Sequence, residues 1–230
     1  MKNLQTVLCV FVCTLLFRCD TTNDIQIPEP PLNLKATYKV TFEFNWNEQD
    51  YPIDYPSNAH FSKLIGWSHT PLNNFFKIGT IASTGIKNMA ELGATVALDE
   101  ELASKIEANE GFDRVIGSGL SSGIGEISVE LQVNEEHPSI SLVTMLAPSP
   151  DWYVGIVDLN LIENGVFIEE KTIYAQTYDA GTDSGQQFTS NNAPTTPKIP
   201  ITIINNPSIG NGGTIATVSF KNNSNIHLLG

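Results

Sequence analysis

The sequence predicts an all-β protein, an antiparallel β-sandwich interrupted by a single helical excursion. Residues 38–46 and 127–133 alternate strictly between apolar and polar side chains. Such alternation indicates strands with one buried and one solvent-facing side. Several other apolar segments have the length of strands and lie between turn residues. One segment alone, around residues 87–106, has a helical stripe.

The first strand is predicted from Tyr38, where every second residue is apolar as far as Trp46. The preceding segment, residues 19–36, is polar and contains three prolines, so we interpret it as a tether. We therefore expect the folded domain to span residues 37–222.

The helical excursion around residues 87–106 is expected inside a long connection between strands, because strand candidates lie on both sides of it. Residues 47–86 show no clear period and are interpreted as irregular. About seven strands without intervening helices favour a sandwich. The later strand candidates are residues 127–133, 140–146, 153–162, 166–174, 201–204 and 214–221.

Composition excludes one class of partner. The formal net charge is −13 over 230 residues, and the 12 basic residues do not cluster. Nucleic-acid binding requires a basic patch or stripe. We therefore expect no nucleic-acid partner.

The hydrophobic content of 41% is sufficient for a substantial core.

The first 18 residues are typical of a signal peptide. Lys2 precedes an almost wholly apolar run at residues 4–17. That run is shorter than the roughly 20 residues of a membrane-spanning helix. The three cysteines lie in or just after this run, at Cys9, Cys13 and Cys19. The body of the domain therefore has no internal disulfide to rely on.

Cys19 is a candidate lipidation site. It follows Leu16-Phe17-Arg18, which resembles the lipobox of bacterial lipoproteins, although Arg18 replaces the small residue of that motif. We expect an exported protein held in the cell envelope or at the surface by a lipid at Cys19. The alternative is plain secretion after cleavage.

Two acidic loops carry the candidate metal ligands. Asp179 and Asp183 lie four residues apart in a loop that contains two glycines. Asp151 lies in a second loop, stiffened by Pro148 and Pro150. If the fold brings three carboxylates together, they repel one another unless they are protonated or neutralised by a cation.

Calcium suits such a site better than magnesium or zinc, because it accepts six to eight oxygen ligands in flexible geometry. The four histidines show no zinc spacing, and an EF-hand beginning at Asp179 would have Ser190 where glutamate is required. Aspartate and glycine are also common turn residues without any ligand. From these residues alone, both interpretations stay open.

Two longer runs carry a family resemblance. The run SISLVTMLAPSPDWYVG at residues 139–155, followed by YDAGTDSG at 178–185, resembles the spondin N-terminal domain family. Shorter stretches agree in the family's order, namely YKVTF at 38–42, HFSKLIG at 60–66 and ASTGIK at 82–87. The resemblance covers residues 38–192.

The resemblance implies an eight-stranded antiparallel sandwich similar to C2 domains, with Ca²⁺ held at one end by Asp151, Asp179 and Asp183. It also implies a calcium-binding extracellular adhesion or recognition module, displayed on a surface, whose partner is a protein or a glycan. Family members are not known as enzymes. The animal proteins carry further modules and disulfides, so their individual partners are not carried over to this chain.

Three rival interpretations remain. Gly119-Leu120-Ser121-Ser122-Gly123 matches the G-x-S-x-G pattern of hydrolases, but it leads into a predicted strand and not into the helix that a nucleophile elbow requires. A calcium-dependent membrane-binding or glycan-binding C2-like module is the second alternative. Third, His60 and His69 are possible proton-transfer or metal-binding residues, although buried histidines more often serve as hydrogen-bonding partners. In the glycan-binding alternative, a sugar could bind at the three tryptophans, Trp46, Trp67 and Trp152.

Overall fold

A computed structural model describes residues 34–204 and 215–224 of the chain. The two helices are α1 (Thr84–Leu92) and α2 (Val96–Glu107). The strands are, in chain order, β1 (Lys35–Asn45), β2 (His60–Phe61), β3 (Ile65–His69), β4 (Gly111–Ile116), β5 (Ile124–Asn134), β6 (Ser139–Ala147), β7 (Trp152–Asn160), β8 (Ile162–Glu163), β9 (Val166–Phe167), β10 (Glu170–Tyr174), β11 (Gln176–Asp179), β12 (Thr202–Ile203) and β13 (Ala216–Asn222).

The strands form two larger antiparallel sheets, which confirms the predicted class. The first sheet has the order β10-β13-β1-β5. In its register, Phe42 of β1 lies opposite Val218 of β13 on one side and Ile127 of β5 on the other. The second sheet has the order β12-β11-β7-β6-β3-β4, and β2 also pairs with β6. Strands β8 and β9 form a separate hairpin.

The inner core lies between the two sheets. Alternate residues of β1 enter it, so Tyr38, Val40 and Phe42 are fully buried while Lys39 and Glu43 are exposed. The alternation in the sequence therefore has the predicted cause, one face against the core and the other against water.

A second core lies on the outer face of the second sheet, under the helices. Ile86 and Met89 of α1 and Leu98 of α2 pack there against side chains that include Val143 and Tyr153. Because β6 has a core on each face, all nine of its residues are buried. Burial on both faces explains why this strand has a continuous apolar character instead of an alternation.

The helical excursion consists of two helices, where the sequence suggested one continuous stretch. Gly93 adopts a left-handed conformation, with φ +64°, and caps the end of α1. Such a cap ends a helix and lets the chain change direction. At the other end, Ser83 caps the start of α1 by accepting a hydrogen bond from the Ile86 backbone N–H. The side chain of Glu101 in α2 accepts from the Gly85 N–H at 2.7 Å, which joins the two helices.

Residues 47–86 are less irregular than expected, because they contain β2 and β3 as well as the start of α1. The predicted strands at 153–162 and 166–174 are each divided in two. Strand β1 begins at Lys35, slightly before the alternation that starts at Tyr38. The predicted signal peptide, Cys19 and nearly all of the predicted tether lie outside the described residues.

Candidate calcium site and neighbouring loops

Three connections meet at one end of the sandwich, and we refer to them as the loop end. They are residues 46–59 between β1 and β2, residues 148–151 between β6 and β7, and residues 180–201 after β11. Asp54 of the first accepts hydrogen bonds from the Thr189 N–H at 2.9 Å and the Thr189 hydroxyl at 2.6 Å. The contact between Asp151 and Thr182 joins the second connection to the third.

Asp151 is completely buried, and its two oxygens differ in their surroundings. Oδ2 accepts hydrogen bonds from the Thr182 N–H at 2.6 Å, the Thr182 hydroxyl at 3.2 Å and the Asp183 N–H at 3.0 Å. Oδ1 has no hydrogen-bonding partner within the part of the chain that the structure describes. A buried carboxylate oxygen without a donor is costly, so this atom calls for a cation or a proton.

The electrostatics of Asp151 agree with this geometry. Burial and, to a lesser degree, the charge of Asp179 raise the pKa of Asp151 to about 6, although the hydrogen bonds from Thr182 and Asp183 oppose the rise. Burial and the charge of Asp179 therefore destabilise the ionised carboxylate of Asp151. A neighbouring cation would stabilise that ionised form.

Asp179 ends β11, directly across the sheet from Trp152 of β7. Its Oδ1 accepts a hydrogen bond from the Gly181 N–H at 2.7 Å. Burial raises the pKa of Asp179, the Gly181 N–H opposes this rise, and the charge of Asp183 adds to it. Asp179 and Asp183 are therefore close enough for their charges to interact.

Asp183 organises the loop around itself. Its Oδ1 accepts from the Gly185 N–H and its Oδ2 from the Ala193 N–H, both at 2.7 Å. The side chain is nearly buried. These hydrogen bonds fold residues 183–193 into a closed loop, a structural role that Asp183 has with or without a ligand.

Gly181 is required by the shape of the loop. Its φ is +71°, a left-handed conformation that favours glycine. A Cβ atom here would lie 2.1 Å from the carbonyl oxygen of Ile199. The close approach lets residues 179–183 turn back beneath Asp151.

The fold thus brings all three predicted aspartates to the loop end, but it does not assemble them into a finished metal site. In residues 34–204 and 215–224, no three His, Cys, Asp or Glu side chains are grouped as metal ligands. The unpartnered Oδ1 of Asp151 fits a cation, whereas both oxygens of Asp183 already accept backbone hydrogen bonds. Sequence reasoning missed Thr182 and Thr189, because their contacts are made between loops that are distant in sequence.

The rival sites do not have the geometry that their chemistry requires. Ser121 lies on an exposed bend that leads into β5, and not at a turn from strand to helix. His69 is buried; its Nε2 is 2.7 Å from the Ser141 hydroxyl and its Nδ1 is 2.8 Å from the Thr70 carbonyl. Burial lowers the pKa of His69. His60 Nδ1 is 2.8 Å from the Asn58 carbonyl.

The tryptophans lie in the two cores and do not form an exposed face. Trp46 and Trp67 are fully buried, and Trp152 is 3% exposed. Trp152 packs edge-on against Phe188 with ring centroids 5.3 Å apart, beneath the loop that carries Asp183. Neither described helix has the length and apolar character needed to cross a membrane.

Comparison with known proteins agrees with the resemblance. The sequence profile of the family described as Spondin_N matches residues 36–211. Human Spondin-2 is 34% identical over 177 residues, covering 75% of this chain and 54% of that protein. Spondin-1 of Xenopus laevis is 33% identical over 223 residues, covering 90% of this chain and 27% of that protein. Mouse Spondin-1 is 34% identical over 200 residues, covering 80% and 24%.

The chain therefore spans about half the length of Spondin-2 and about a quarter of Spondin-1. The family match covers most of the folded domain, including both acidic loops. On this match, the chain belongs to the spondin N-terminal (Spondin_N) domain family.

Proposed function

We propose that the protein is an extracellular adhesion or recognition module whose loop end binds Ca²⁺ through Asp151, Asp179 and Asp183. The observation that carries the calcium assignment is Oδ1 of Asp151, a fully buried carboxylate oxygen without a donor. A cation at this position would supply the missing partner and offset the charge that Asp179 and Asp183 add nearby.

The donor chemistry supports calcium over other ions. The available ligands are carboxylate and backbone oxygens, which hard cations prefer, and calcium tolerates an irregular shell that includes carbonyls and water. Three carboxylates supply only part of such a shell. The site therefore depends on additional oxygens from the loop or from solvent, and on a modest rearrangement around Asp183, whose oxygens already accept hydrogen bonds.

The recognition role rests on family membership. Membership of the spondin N-terminal domain family implies adhesion to matrix, receptors or microbial surfaces. The chain shares the domain with Spondin-1 and Spondin-2 but covers only part of each. We therefore propose a protein or glycan partner on a surface or matrix, without assigning the partners of the longer proteins.

Thermal unfolding in excess EDTA and in about 1 mM Ca²⁺ tests the metal assignment. With a dissociation constant of about 0.1 mM, calcium would stabilise the native state by about 1.4 kcal/mol. For a protein of this size, that free energy raises the midpoint by about 3 to 6 °C. Mg²⁺ at the same concentration is expected to give a smaller rise.

Two variants make this experiment specific. Asp179→Asn removes one proposed ligand and is expected to abolish the calcium-dependent rise. Glu107→Gln removes the same charge from an exposed position at the end of α2, far from the loops, and is expected to retain the rise. The calcium assignment fails if the parent protein shows no rise, or if both variants respond as the parent does.

A second candidate function, calcium-dependent membrane binding, is favoured by one surface feature. Ile78, Ile81 and Ile199 are each more than half exposed. Ile81 bridges to Pro200, and the Ile199 N–H donates to the Gly181 carbonyl, so these side chains lie beside the aspartate loop. Exposed apolar side chains next to a cation site are suited to entering a lipid surface.

Net charge makes this the second candidate, because a charge of −13 disfavours approach to anionic lipid. Cosedimentation with phosphatidylserine vesicles, with calcium and with EDTA, distinguishes the two functions. Membrane binding predicts calcium-dependent cosedimentation that Ile199→Ser reduces, whereas protein or glycan recognition predicts no cosedimentation in either condition.

A further inference from the structure

A cavity of about 310 Å³ opens beside the aspartates, and none of the three lines it. It lies between the connection 46–59 and the segment 186–190. Ile53, Trp152 and Phe188 form its apolar wall. Ile53 is 52% exposed, whereas the two aromatic rings are buried, so the wall has an accessible aliphatic side and a rigid aromatic base.

The rim of the cavity is polar and carries negative charge. The side chains of Gln186 and Gln187 are exposed there. Asp54 supplies a carboxylate, which the Thr189 N–H and hydroxyl hold in place. Asp54 itself has φ +57°, a conformation that aspartate and asparagine tolerate better than most residues.

The surroundings of the cavity are predominantly acidic. The connections 46–59, 148–151 and 180–201, together with Asp179 just before the last, contain six carboxylates and one basic residue, Lys198, whose ammonium group donates to the Ala82 carbonyl at 3.2 Å. These carboxylates are Glu48, Asp50, Asp54, Asp151, Asp179 and Asp183. A cleft lined by charge of one sign attracts ligands of the opposite sign and favours partners with complementary charge.

We propose that this cavity receives a lysine or arginine side chain from a protein partner. The aliphatic stem would pack against Ile53 and the aromatic base, while the cationic head would lie near Asp54 and the glutamine amides. The volume is at the lower end of the range for ligand pockets, which suits one long side chain. The inference rests on the proposed recognition function and specifies the chemistry of its partner.

Charge decides between a basic side chain and a neutral sugar. Both could hydrogen-bond to the glutamine amides, but only the basic side chain gains from Asp54 and from the surrounding carboxylates. Arginine has an additional advantage over lysine, since its planar guanidinium can pair with a carboxylate through two hydrogen bonds.

The test is a titration of the ¹⁵N-labelled protein, followed by NMR, with the peptide acetyl-Arg-Arg-Arg-amide. The matched control peptide has citrulline in place of arginine, which keeps the shape and removes the charge. A neutral methyl glycoside serves as the sugar probe. We expect the arginine peptide to shift amide resonances of residues 186–190 and the Trp152 indole, with at least tenfold weaker binding of the citrulline peptide.

Four variants locate the site. Ile53→Ser and Asp54→Asn are each expected to weaken binding of the arginine peptide at least fivefold. Glu48→Gln removes a charge from the same connection at an exposed position outside the cavity, and is expected to change affinity by less than twofold. Thr189→Val removes the hydroxyl that donates to Asp54 and therefore tests whether loosening this loop alone weakens binding. We expect its affinity for the arginine peptide to change by less than twofold.

The proposal is overturned if the two peptides bind equally, if the glycoside alone shifts these resonances, or if Glu48→Gln weakens binding as much as Asp54→Asn. The titration is run in EDTA and in 1 mM Ca²⁺. Arginine-dependent binding in EDTA supports the cavity even where calcium gives no thermal shift. A calcium shift without peptide binding leaves the metal assignment intact and rejects the cavity. The two proposals therefore fail separately.

Discussion

The backbone N–H of Thr182 donates to Oδ2 of Asp151 at 2.6 Å, across two loops that follow different strands. The Thr182 hydroxyl and the Asp183 N–H donate to the same oxygen. All the hydrogen bonds that the Asp151 carboxylate accepts are therefore made by Oδ2. The other oxygen is buried and has no hydrogen-bonding partner among the described residues. Asp151 thus holds the loop that carries Asp179 and Asp183 and also leaves one buried acceptor unpaired.

Removing the acceptor at position 151 should destabilise the protein even without a metal. Asp151→Ala leaves the buried N–H groups of Thr182 and Asp183 without a partner, at about 1 to 3 kcal/mol for each unsatisfied group. The substitution also removes a buried negative charge that itself destabilises the folded state, which offsets part of this loss. We therefore expect a net fall of about 2 kcal/mol in the free energy of unfolding, measured by urea denaturation in EDTA.

The conservative variant separates structure from metal binding. Asp151→Asn retains an oxygen that can accept from Thr182 and Asp183, so its stability in EDTA is expected to match or exceed that of the parent protein. It should nevertheless lose the calcium-dependent thermal rise. A large loss of stability in Asp151→Asn would show that the charge itself is needed for the fold.

Stability in EDTA should fall as pH rises through the acidic range. The pKa of Asp151 is about 6 in the folded protein and near 3.9 in an unfolded chain. Between these values the folded state binds more protons, so the free energy of unfolding decreases as pH increases from about 4 to about 6. The contribution of Asp151 is at most about 3 kcal/mol.

Urea denaturation at pH 4.5, 5.5 and 6.5 measures this slope. The raised pKa of Asp179 acts in the same direction. Asp151→Asn should have a shallower slope than the parent protein, and excess calcium should oppose the fall at the higher pH values. Parallel slopes for the parent and Asp151→Asn would contradict the assignment of the effect to this carboxyl group.

Two glycines with positive φ allow a matched comparison of loop geometry. At Gly181 a Cβ would lie 2.1 Å from the Ile199 carbonyl oxygen, whereas at Gly165 no atom lies within 4 Å of it. Gly165→Ala should cost about 1 to 2 kcal/mol from backbone conformation alone. Gly181→Ala should cost clearly more and should also weaken calcium binding. Equal losses in urea denaturation would show that the contact with Ile199 is easily relieved.

Cys19 remains a predicted lipidation site. When the full chain is produced in a bacterial host that processes lipoproteins, we expect a labelled fatty acid to be incorporated and the mature protein to fractionate with membranes. Cys19→Ser should abolish both results. Mass spectrometry of a mature protein that retains an unmodified Cys19 would contradict the prediction.

Local sequence pattern predicted the strands whose two faces have different environments. β1 and β5 alternate because one side packs into the inner core and the other meets solvent. β3 was missed because all five of its residues are buried, including Ser68 and His69, so no alternation appears. Hydrogen bonds such as that between His69 and Ser141 compensate the burial of these polar groups, and sequence does not reveal such partners.

The candidate site was predicted as residue types but not as geometry. The three aspartates were recognised from their loops and from the family resemblance, and the fold does bring them to one end of the sandwich. The unequal oxygens of Asp151 and the contact between Asp54 and Thr189 depend on loops that meet only after folding. No periodicity in the sequence encodes contacts over such separations.

The pairing of β1 with β13 has a consequence for folding kinetics. β1 lies near the start of the folded domain, and one of its two neighbours in the sheet comes from the last described strand. Pairings between such distant segments form slowly, because a long loop must close before they gain any contacts. The first sheet cannot be completed until almost the whole domain has been synthesised. The inner core, which includes Val218 and Phe220 of β13, therefore stays incomplete until this last strand is available.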